Sequence, residues 1–114
     1  MSNKYHARKT TVDGIRFDSK AEAARYVELK LMARAGEIKN LRLQPRYTIH
    51  DAFLALQDGK RYRKIEYVGD FEYWEVKNKR LVCEDVKGVR TALYRLKRKL
   101  FLRTHPAICH EEVE

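Results

Sequence analysis

The stretch Leu81-Val82-Cys83-Glu84-Asp85-Val86-Lys87-Gly88 decides how this chain is interpreted. Its first residues form an apolar run that predicts a core β-strand, which Gly88 closes. Side chains at positions i and i+2 of a strand point to the same face, so we expect Asp85 and Lys87 to converge. Glu84 is expected on the opposite face. A charged pair at the end of a buried strand is unfavourable unless it has a partner.

A second acid lies 15 positions earlier, at Asp70 in the run Tyr67-Val68-Gly69-Asp70-Phe71. Carboxylates on neighbouring strands are the oxygen ligands that a hard cation such as Mg²⁺ prefers. We expect Asp70 and Asp85 to bind such a cation, with the Val86 carbonyl as a further ligand. Lys87 would then orient the attacking water or stabilise charge developing in the transition state. In the alternative interpretation, both acids are surface carboxylates paired with the chain's many Arg and Lys side chains.

The acid-x-lysine pattern alone is weakly specific, because the chain contains it six times. The others begin at Asp18, Glu28, Glu37, Asp58 and Glu75. Their surroundings predict, in that order, a helix cap, a helix interior, a helix end, a turn, and a strand that runs into a turn. Only the pattern that begins at Asp85 ends an apolar strand.

The composition indicates one basic domain over residues 1–114. The 25 Lys and Arg residues outnumber 16 Asp and Glu, which gives a net charge of +9 and indicates a polyanionic partner, either nucleic acid or an anionic membrane surface. A basic protein without a nucleic-acid role is the plainer alternative. The N-terminus has no apolar signal core, and two cysteines make no disulfide framework, so we expect a soluble protein of a reducing cytoplasm. Four candidate zinc ligands lack the usual paired spacing, and zinc is not expected; they are Cys83, His105, Cys109 and His110.

The pattern of the chain predicts an α/β fold, more closely an α+β fold with a mixed sheet, in the order helix, three strands, helix, strand. The predicted segments are a basic arm at 1–10, a hairpin at 12–17, a helix from Ser19 to Gly36, strands at 41–50, 62–76 and 80–87, a helix at 91–104 and a short strand at 107–110. The apolar stripes expected on the two helices are Ala24, Val27 and Leu31, and Leu93, Leu96 and Leu100.

Four motifs together resemble a known family, and the likeness covers roughly residues 3–113. They are Phe17-Asp18-Ser19-Lys20-Ala21-Glu22, Leu43-Gln44-Pro45, Gly69-Asp70-Phe71 and Glu84-Asp85-Val86-Lys87-Gly88. The order of elements, with an Asp on the second strand and Asp-x-Lys on the third, looks like the PD-(D/E)XK nuclease superfamily. The motifs are similar to a small phage-encoded nuclease family, first catalogued as a domain of unknown function and grouped with junction-resolving and recombination nucleases. Gly69 replaces the superfamily's eponymous proline.

The resemblance implies a restriction-endonuclease-like core and a metal-dependent DNA endonuclease that uses Mg²⁺ or Mn²⁺. It implies action on branched or junction DNA in phage recombination or replication, in the cytoplasm of a bacterial host. In that superfamily an acid on the first helix often completes the metal site, and Glu22 holds that place. The capping box formed by Ser19 and Glu22 explains the same glutamate without a metal. Gln44 is expected to line the site.

Nucleic-acid contacts are expected from the second helix and from the N-terminal arm. The residues are Tyr94, Arg95, Lys97, Arg98 and Lys99 on the helix, and Lys4, Arg8 and Lys9 on the arm. No base-reading module is recognisable, so we expect contacts with the phosphate backbone rather than with base edges. Resolution of a junction needs two coordinated cuts, which would require a homodimer. The alternatives are a non-catalytic nucleic-acid-binding module on the same fold and a small structural or regulatory protein.

Overall fold

The computed structural model describes residues 9–114, and within them two helices and ten strands are arranged in several sheets. The elements are β1 (Thr10–Val12), β2 (Ile15–Phe17), α1 (Lys20–Arg34), β3 (Ile38–Leu43), β4 (Arg46–His50), β5 (Phe53–Leu54), β6 (Arg61–Tyr62), β7 (Ile65–Val68), β8 (Phe71–Glu75), β9 (Arg80–Val86), α2 (Ala92–Thr104) and β10 (Ile108–Val113). The predicted α+β class with a mixed sheet is confirmed. No helix of this part of the chain is long and apolar enough to cross a membrane.

A four-stranded sheet in the order β10-β9-β8-β3 forms the centre of the structure. Strands β3, β8 and β9 pair antiparallel, whereas β10 pairs parallel to β9 after the crossover through α2. Two adjacent residues of β9, Val82 and Cys83, are fully buried in separate cores on the two faces of the sheet. Because β9 is covered on both faces, its middle residues Leu81-Val82-Cys83 are a continuous apolar run rather than an alternating one.

The local signals of the sequence predicted the turns and caps correctly. Asp13 and Gly14 form the hairpin turn with φ angles of 51° and 75°. The Ser19 hydroxyl accepts a hydrogen bond from the Glu22 N–H at 3.1 Å and so caps α1. Gly36, with φ of 78°, follows the end of that helix.

Two strands that were predicted as continuous are each broken in the structure. The segment predicted as strand at 41–50 divides at Gln44-Pro45 into β3 and β4, and the segment at 62–76 divides at Gly69-Asp70 into β7 and β8. The breaks lie side by side, because the Gln44 N–H donates to the Asp70 carbonyl and the Gly69 N–H donates to the Pro45 carbonyl, both at 3.0 Å. The result is one bent ribbon, with β3–β8 in the four-stranded sheet and β4–β7 outside it.

The stripe predicted for α1 was wrong, and the stripe predicted for α2 was wrong in part. In α1 the buried apolar residues are Ala23, Tyr26 and Leu29, while Ala24, Val27 and Leu31 are exposed. In α2 only Leu100 of the predicted stripe is partly buried; Leu93 and Leu96 are exposed and Phe101 is fully buried. In each helix an aromatic residue turns inward, because its ring removes more apolar surface from water than a leucine does. The last strand is longer than predicted and extends to Val113.

Gly69 is required by a close approach to Cys83. A Cβ atom at position 69 would lie 2.6 Å from Cys83 Sγ, which is fully buried. Gly69→Ala should therefore lower the free energy of unfolding by about 1–3 kcal/mol, the usual effect of overpacking a core. Urea denaturation would measure the loss, and the Gly69→Ala/Cys83→Ala double variant should recover most of it. Gly88→Ala is the matched control, since its Cβ would meet nothing within 4 Å. Equal stability of Gly69→Ala and Gly88→Ala would contradict the explanation.

Candidate active site

The carboxyl groups of Glu22 and Asp70 meet where α1 begins and β8 begins. Glu22 lies in the first turn of α1, and its Oε2 accepts a hydrogen bond of 3.2 Å from the Asp18 N–H, so it takes part in capping the helix. The Glu22 side chain also hydrogen-bonds to the Asp70 carboxyl. The Glu22 side chain thus contacts both the start of the helix and the Asp70 carboxyl. Its role as a helix cap and its predicted role as a site residue are therefore compatible.

Burial and the neighbouring acid change the protonation of Glu22. Only 8% of this residue is exposed. Burial raises its pKa to about 8, and the hydrogen bond to Asp70 and the repulsion by the Asp70 charge act in the same direction. Near neutral pH, Glu22 therefore carries a proton.

Asp70 also joins the pair to the Asp85-Val86-Lys87 strand. Its backbone N–H donates to the Glu84 carbonyl at 2.9 Å. Its Oδ2 accepts the Val86 N–H at 2.6 Å. Val86, predicted as a ligand through its carbonyl, thus contacts the site through its N–H, which fixes the orientation of the Asp70 carboxylate.

A pocket of about 170 Å³ opens over the Glu22–Asp70 pair. Its lining residues are Ile15, Arg16, Phe17, Glu22, Leu43, Gln44 and Asp70. Gln44, predicted to line the site, is among them, at the break after β3 where its φ is 48°. Arg16 was missed by the sequence analysis. It lies on β2 next to the buried Phe17, and only the packing of the hairpin against α1 brings it to the pocket.

The predicted convergence of Asp85 and Lys87 is present in the structure. Lys87 Nζ lies 3.2 Å from Asp85 Oδ1 and 3.9 Å from the centroid of the Tyr94 ring. Tyr94, expected to contact nucleic acid, donates its hydroxyl to Glu112 at 2.7 Å and packs beside the lysine. Glu84 faces the other side of β9, as predicted, where Arg25 binds it with two hydrogen bonds of 2.6 and 2.8 Å.

His110 is a second residue that the sequence analysis missed as a neighbour of the site. Its Nδ1 accepts a hydrogen bond from Arg98 Nε at 3.2 Å, so its proton lies on Nε2, which donates to Asp85 Oδ2 at 2.9 Å. The Tyr67 hydroxyl lies 2.6 Å from the same nitrogen. Arg98, expected to bind nucleic acid, thus points toward the protein interior, where it contacts His110. The register of β10 beside β9, which the sequence does not reveal, brings His110 there.

The side chains considered for zinc do not form one site in residues 9–114. His105 contacts the Thr48 carbonyl, and Cys109 contacts Arg80 and Glu111. Cys83 and His110 instead lie with Asp85, and one potential ligand atom from each lies within 4.8 Å of the others. Burial raises the pKa of the Cys83 thiol to about 12, so this group is neutral at physiological pH. In that part of the chain no other such trio is found, and Glu22 and Asp70 stand apart from Asp85 as a pair.

The basic residues predicted to bind nucleic acid differ in their exposure. Arg95 and Lys99 of α2 are exposed, Lys97 is half-buried, and Lys9 is exposed. Lys4 and Arg8 lie outside the described residues. The helix therefore retains cations at its surface, although Arg98 is directed inward.

Comparison with known proteins gives one match. Residues 2–112 match the profile of a family described as "Protein of unknown function (DUF1064)". No curated protein and no solved structure matches the chain.

The raised pKa of Glu22 predicts how stability depends on pH. An ordinary glutamate has a pKa of 4.5, whereas Glu22 has one of about 8 in the folded protein. The folded state therefore binds this proton more tightly, and its contribution to stability is complete below pH 4.5 and is lost as the pH rises through 8. Glu22→Gln keeps a neutral side chain at every pH and should remove this part of the decline. Urea unfolding between pH 5 and pH 9 in EDTA measures it.

Glu37→Gln is the control for this experiment, because Glu37 is exposed in the connection between α1 and β3. It should keep the slope of the original protein. If the free energy of unfolding changes with pH in the same way for Glu22→Gln and for the original protein, the raised pKa of Glu22 would be ruled out.

Proposed function

We propose that this chain, which belongs to the family of proteins of unknown function DUF1064, is a metal-dependent DNA endonuclease that cleaves branched or junction DNA in phage recombination or replication. The observation that carries the proposal is the hydrogen bond from Val86 N–H to Asp70 Oδ2, which joins the Glu22–Asp70 pair to the strand bearing Asp85 and Lys87. Three acids and a lysine thereby surround the end of two paired strands.

The order of elements supports a restriction-endonuclease-like core. Helix α1 precedes the antiparallel strands β3, β8 and β9, and α2 leads to the parallel strand β10. Asp70 immediately precedes β8, and Asp85-Val86-Lys87 ends β9, the places that the resemblance to PD-(D/E)XK nucleases assigns to their acids and lysine. The proposed place of action is the reducing cytoplasm of a bacterial host, where cysteines such as Cys83 and Cys109 remain free thiols.

The carboxyl pair fits a divalent cation. Glu22 binds a proton at neutral pH beside a second acid, and a cation can replace that proton. Mg²⁺ needs only one or two carboxylates, since it retains several water ligands. Glu22 and Asp70 would hold the ion, while Asp85, predicted as a further ligand, is held by Lys87 and His110 apart from this pair. A bound Mg²⁺ or Mn²⁺ would supply a water of lowered pKa and neutralise phosphate charge.

The chain's own residues supply the remaining chemistry. Lys87 Nζ, held between Asp85 and the Tyr94 ring, can donate a hydrogen bond to the attacking water or to a phosphate oxygen. Arg16 lies on the pocket wall and offers the planar guanidinium that suits a phosphate. The Val86 N–H keeps the Asp70 carboxylate in one orientation. The exposed cations of α2 add sequence-independent contacts with the DNA backbone.

One observation favours the alternative of a non-catalytic nucleic-acid-binding module. Lys87 and His110 each occupy one oxygen of Asp85, so this carboxylate has partners without a metal. A pure preparation that binds DNA but never cuts or nicks it with either metal would favour the module.

The nuclease proposal is tested by cleavage of linear, nicked, flapped and four-way DNA with Mg²⁺ and with Mn²⁺. Asp70→Asn, Asp85→Asn and Lys87→Met should each lower the cleavage rate about 100-fold or more, because each removes a transition-state contact. DNA affinity, measured in EDTA, should stay within about threefold. Glu37→Gln and Lys77→Met change exposed residues and should cleave normally. Equal loss in the control variants would overturn the assignment.

Metal binding is tested without catalysis. Millimolar Mg²⁺ or Mn²⁺ should raise the melting temperature of the protein at pH 8, because a ligand that binds only the folded state stabilises it. Asp70→Asn should abolish the shift and Glu37→Gln should retain it. A shift that persists in Asp70→Asn would place the metal elsewhere.

A further inference from the structure

The ribbon formed by β4 and β7 continues into a hairpin, residues 51–64, that we call the arm from here on; it is distinct from the N-terminal arm of residues 1–10. Its strands β5 and β6 pair with each other, and neither has an extensive contact with another helix or strand of the described chain. The radius of gyration is 16.4 Å, whereas a compact domain of about 100 residues has one near 13 Å. The arm therefore does not contribute to either core. Its conformation must be held mainly by contacts within the arm itself.

The tip of the arm is held by hydrogen bonds within it. The Ala55 N–H donates to the Lys60 carbonyl and the Gly59 N–H donates to the Ala55 carbonyl, both at 2.9 Å. Asp58 accepts the Lys60 N–H through Oδ1 and the Tyr62 hydroxyl through Oδ2. These contacts fix the turn and hold the Tyr62 ring in place. Leu56 is left 96% exposed at the tip.

One face of the arm is an exposed aromatic platform made by Phe53 and Tyr62. The two residues are direct cross-strand partners, and their rings stack with centroids 5.3 Å apart and planes inclined by 15°. Phe53 is 46% exposed and Tyr62 43% exposed. His50 extends the platform, with its ring centroid 5.5 Å from that of Phe53. Ordered aromatic faces in water favour a ligand that is itself flat and apolar.

Basic residues flank Tyr62 of this aromatic platform on both sides in the sequence. The run Lys60-Arg61-Tyr62-Arg63-Lys64 carries four exposed basic residues around the tyrosine. Asp58 already accepts two hydrogen bonds from the arm, and Lys64 Nζ lies 4.0 Å from Glu66 Oε2. A second copy of the chain placed face to face on the arm would bring like charges together. A partner with flat bases and a phosphate backbone matches both features.

We propose that the arm binds unpaired DNA bases, which stack on the Phe53–Tyr62 platform while basic residues of the arm contact the adjoining phosphates. This inference rests on the proposed function, and it gives that function a substrate: DNA with unpaired bases beside a branch, flap or bulge. In paired duplex the bases are stacked on one another and present no free face to an aromatic side chain. The platform would therefore favour branched over fully paired DNA.

The test measures binding in EDTA, so that cleavage plays no part. Fluorescence anisotropy is recorded with a single-stranded oligonucleotide, a flapped DNA and a blunt duplex of equal length. Phe53→Ala and Tyr62→Ala should weaken binding to the first two on the order of tenfold, the usual effect of losing one stacking contact. Affinity for the duplex should change less than about twofold. Tyr62→Trp retains a stacking face and should preserve binding.

Trp74→Ala is the matched control, because Trp74 is a comparably exposed aromatic residue, 38% exposed, on β8. It should bind all three DNAs normally. Equal weakening on duplex and single strand would overturn the stacking inference. A changed oligomeric state in light scattering, with single-strand affinity unchanged, would identify the arm as a contact between copies instead.

The experiments can contradict the nuclease proposal and the arm proposal independently of each other. If the original protein cleaves branched DNA while the arm variants bind single strands normally, the arm inference is lost and the nuclease remains. If the arm variants lose single-strand binding while the original protein never cuts, the nuclease is lost and the arm inference remains.

Discussion

Two consecutive acids, Glu84 and Asp85, are buried on opposite faces of β9, and the structure depends on how each is neutralised. Arg25 of α1 binds Glu84 through two nitrogens, and Tyr73 donates its hydroxyl to the same carboxylate. Asp85 is held by Lys87 and by His110, behind which lies Arg98 of α2. A buried carboxylate without a partner would destabilise the fold by several kcal/mol. These contacts therefore fix one helix against each face of the sheet.

The same constraint explains why the candidate site lies at the strand end rather than on one face. Because Asp85 is directed toward α2, its carboxylate is separated from Glu22, which belongs to α1. Asp70 lies just before β8, beyond the last residue that pairs in the sheet, and reaches the Val86 N–H around the end of β9. The breaks at Gln44-Pro45 and Gly69-Asp70 free this end from a further strand, and so open the pocket.

Features decided by neighbouring residues could be predicted from the sequence, and features decided by packing could not. The Asp13-Gly14 turn, the Ser19 cap and the pairing of Asp85 with Lys87 follow from local backbone geometry. The paired strand breaks required knowledge of which strands lie side by side, and the buried faces of the helices depended on which ring found space in a core. His110 and Arg16 approach the site only through the register of β10 and the docking of the first hairpin, for which the local sequence holds no signal.

Burial separates the informative acid-x-lysine pattern from the other five. The acids that begin the patterns at Asp18, Glu28, Glu37 and Asp58 are exposed, and Glu75 is half-buried with an exposed lysine beside it. In the pattern that begins at Asp85, the side chain of Asp85 is only 3% exposed and that of Lys87 only 18% exposed. Exposed pairs of this kind contribute little to stability and need no further explanation. The Asp85–Lys87 pair is withdrawn from water at the end of a core strand, and Asp70 binds the backbone N–H of Val86 between its two members. Hydrophobic residues of similar size would stabilise the fold equally well at these positions. The charges are therefore explained by the proposed chemistry rather than by stability.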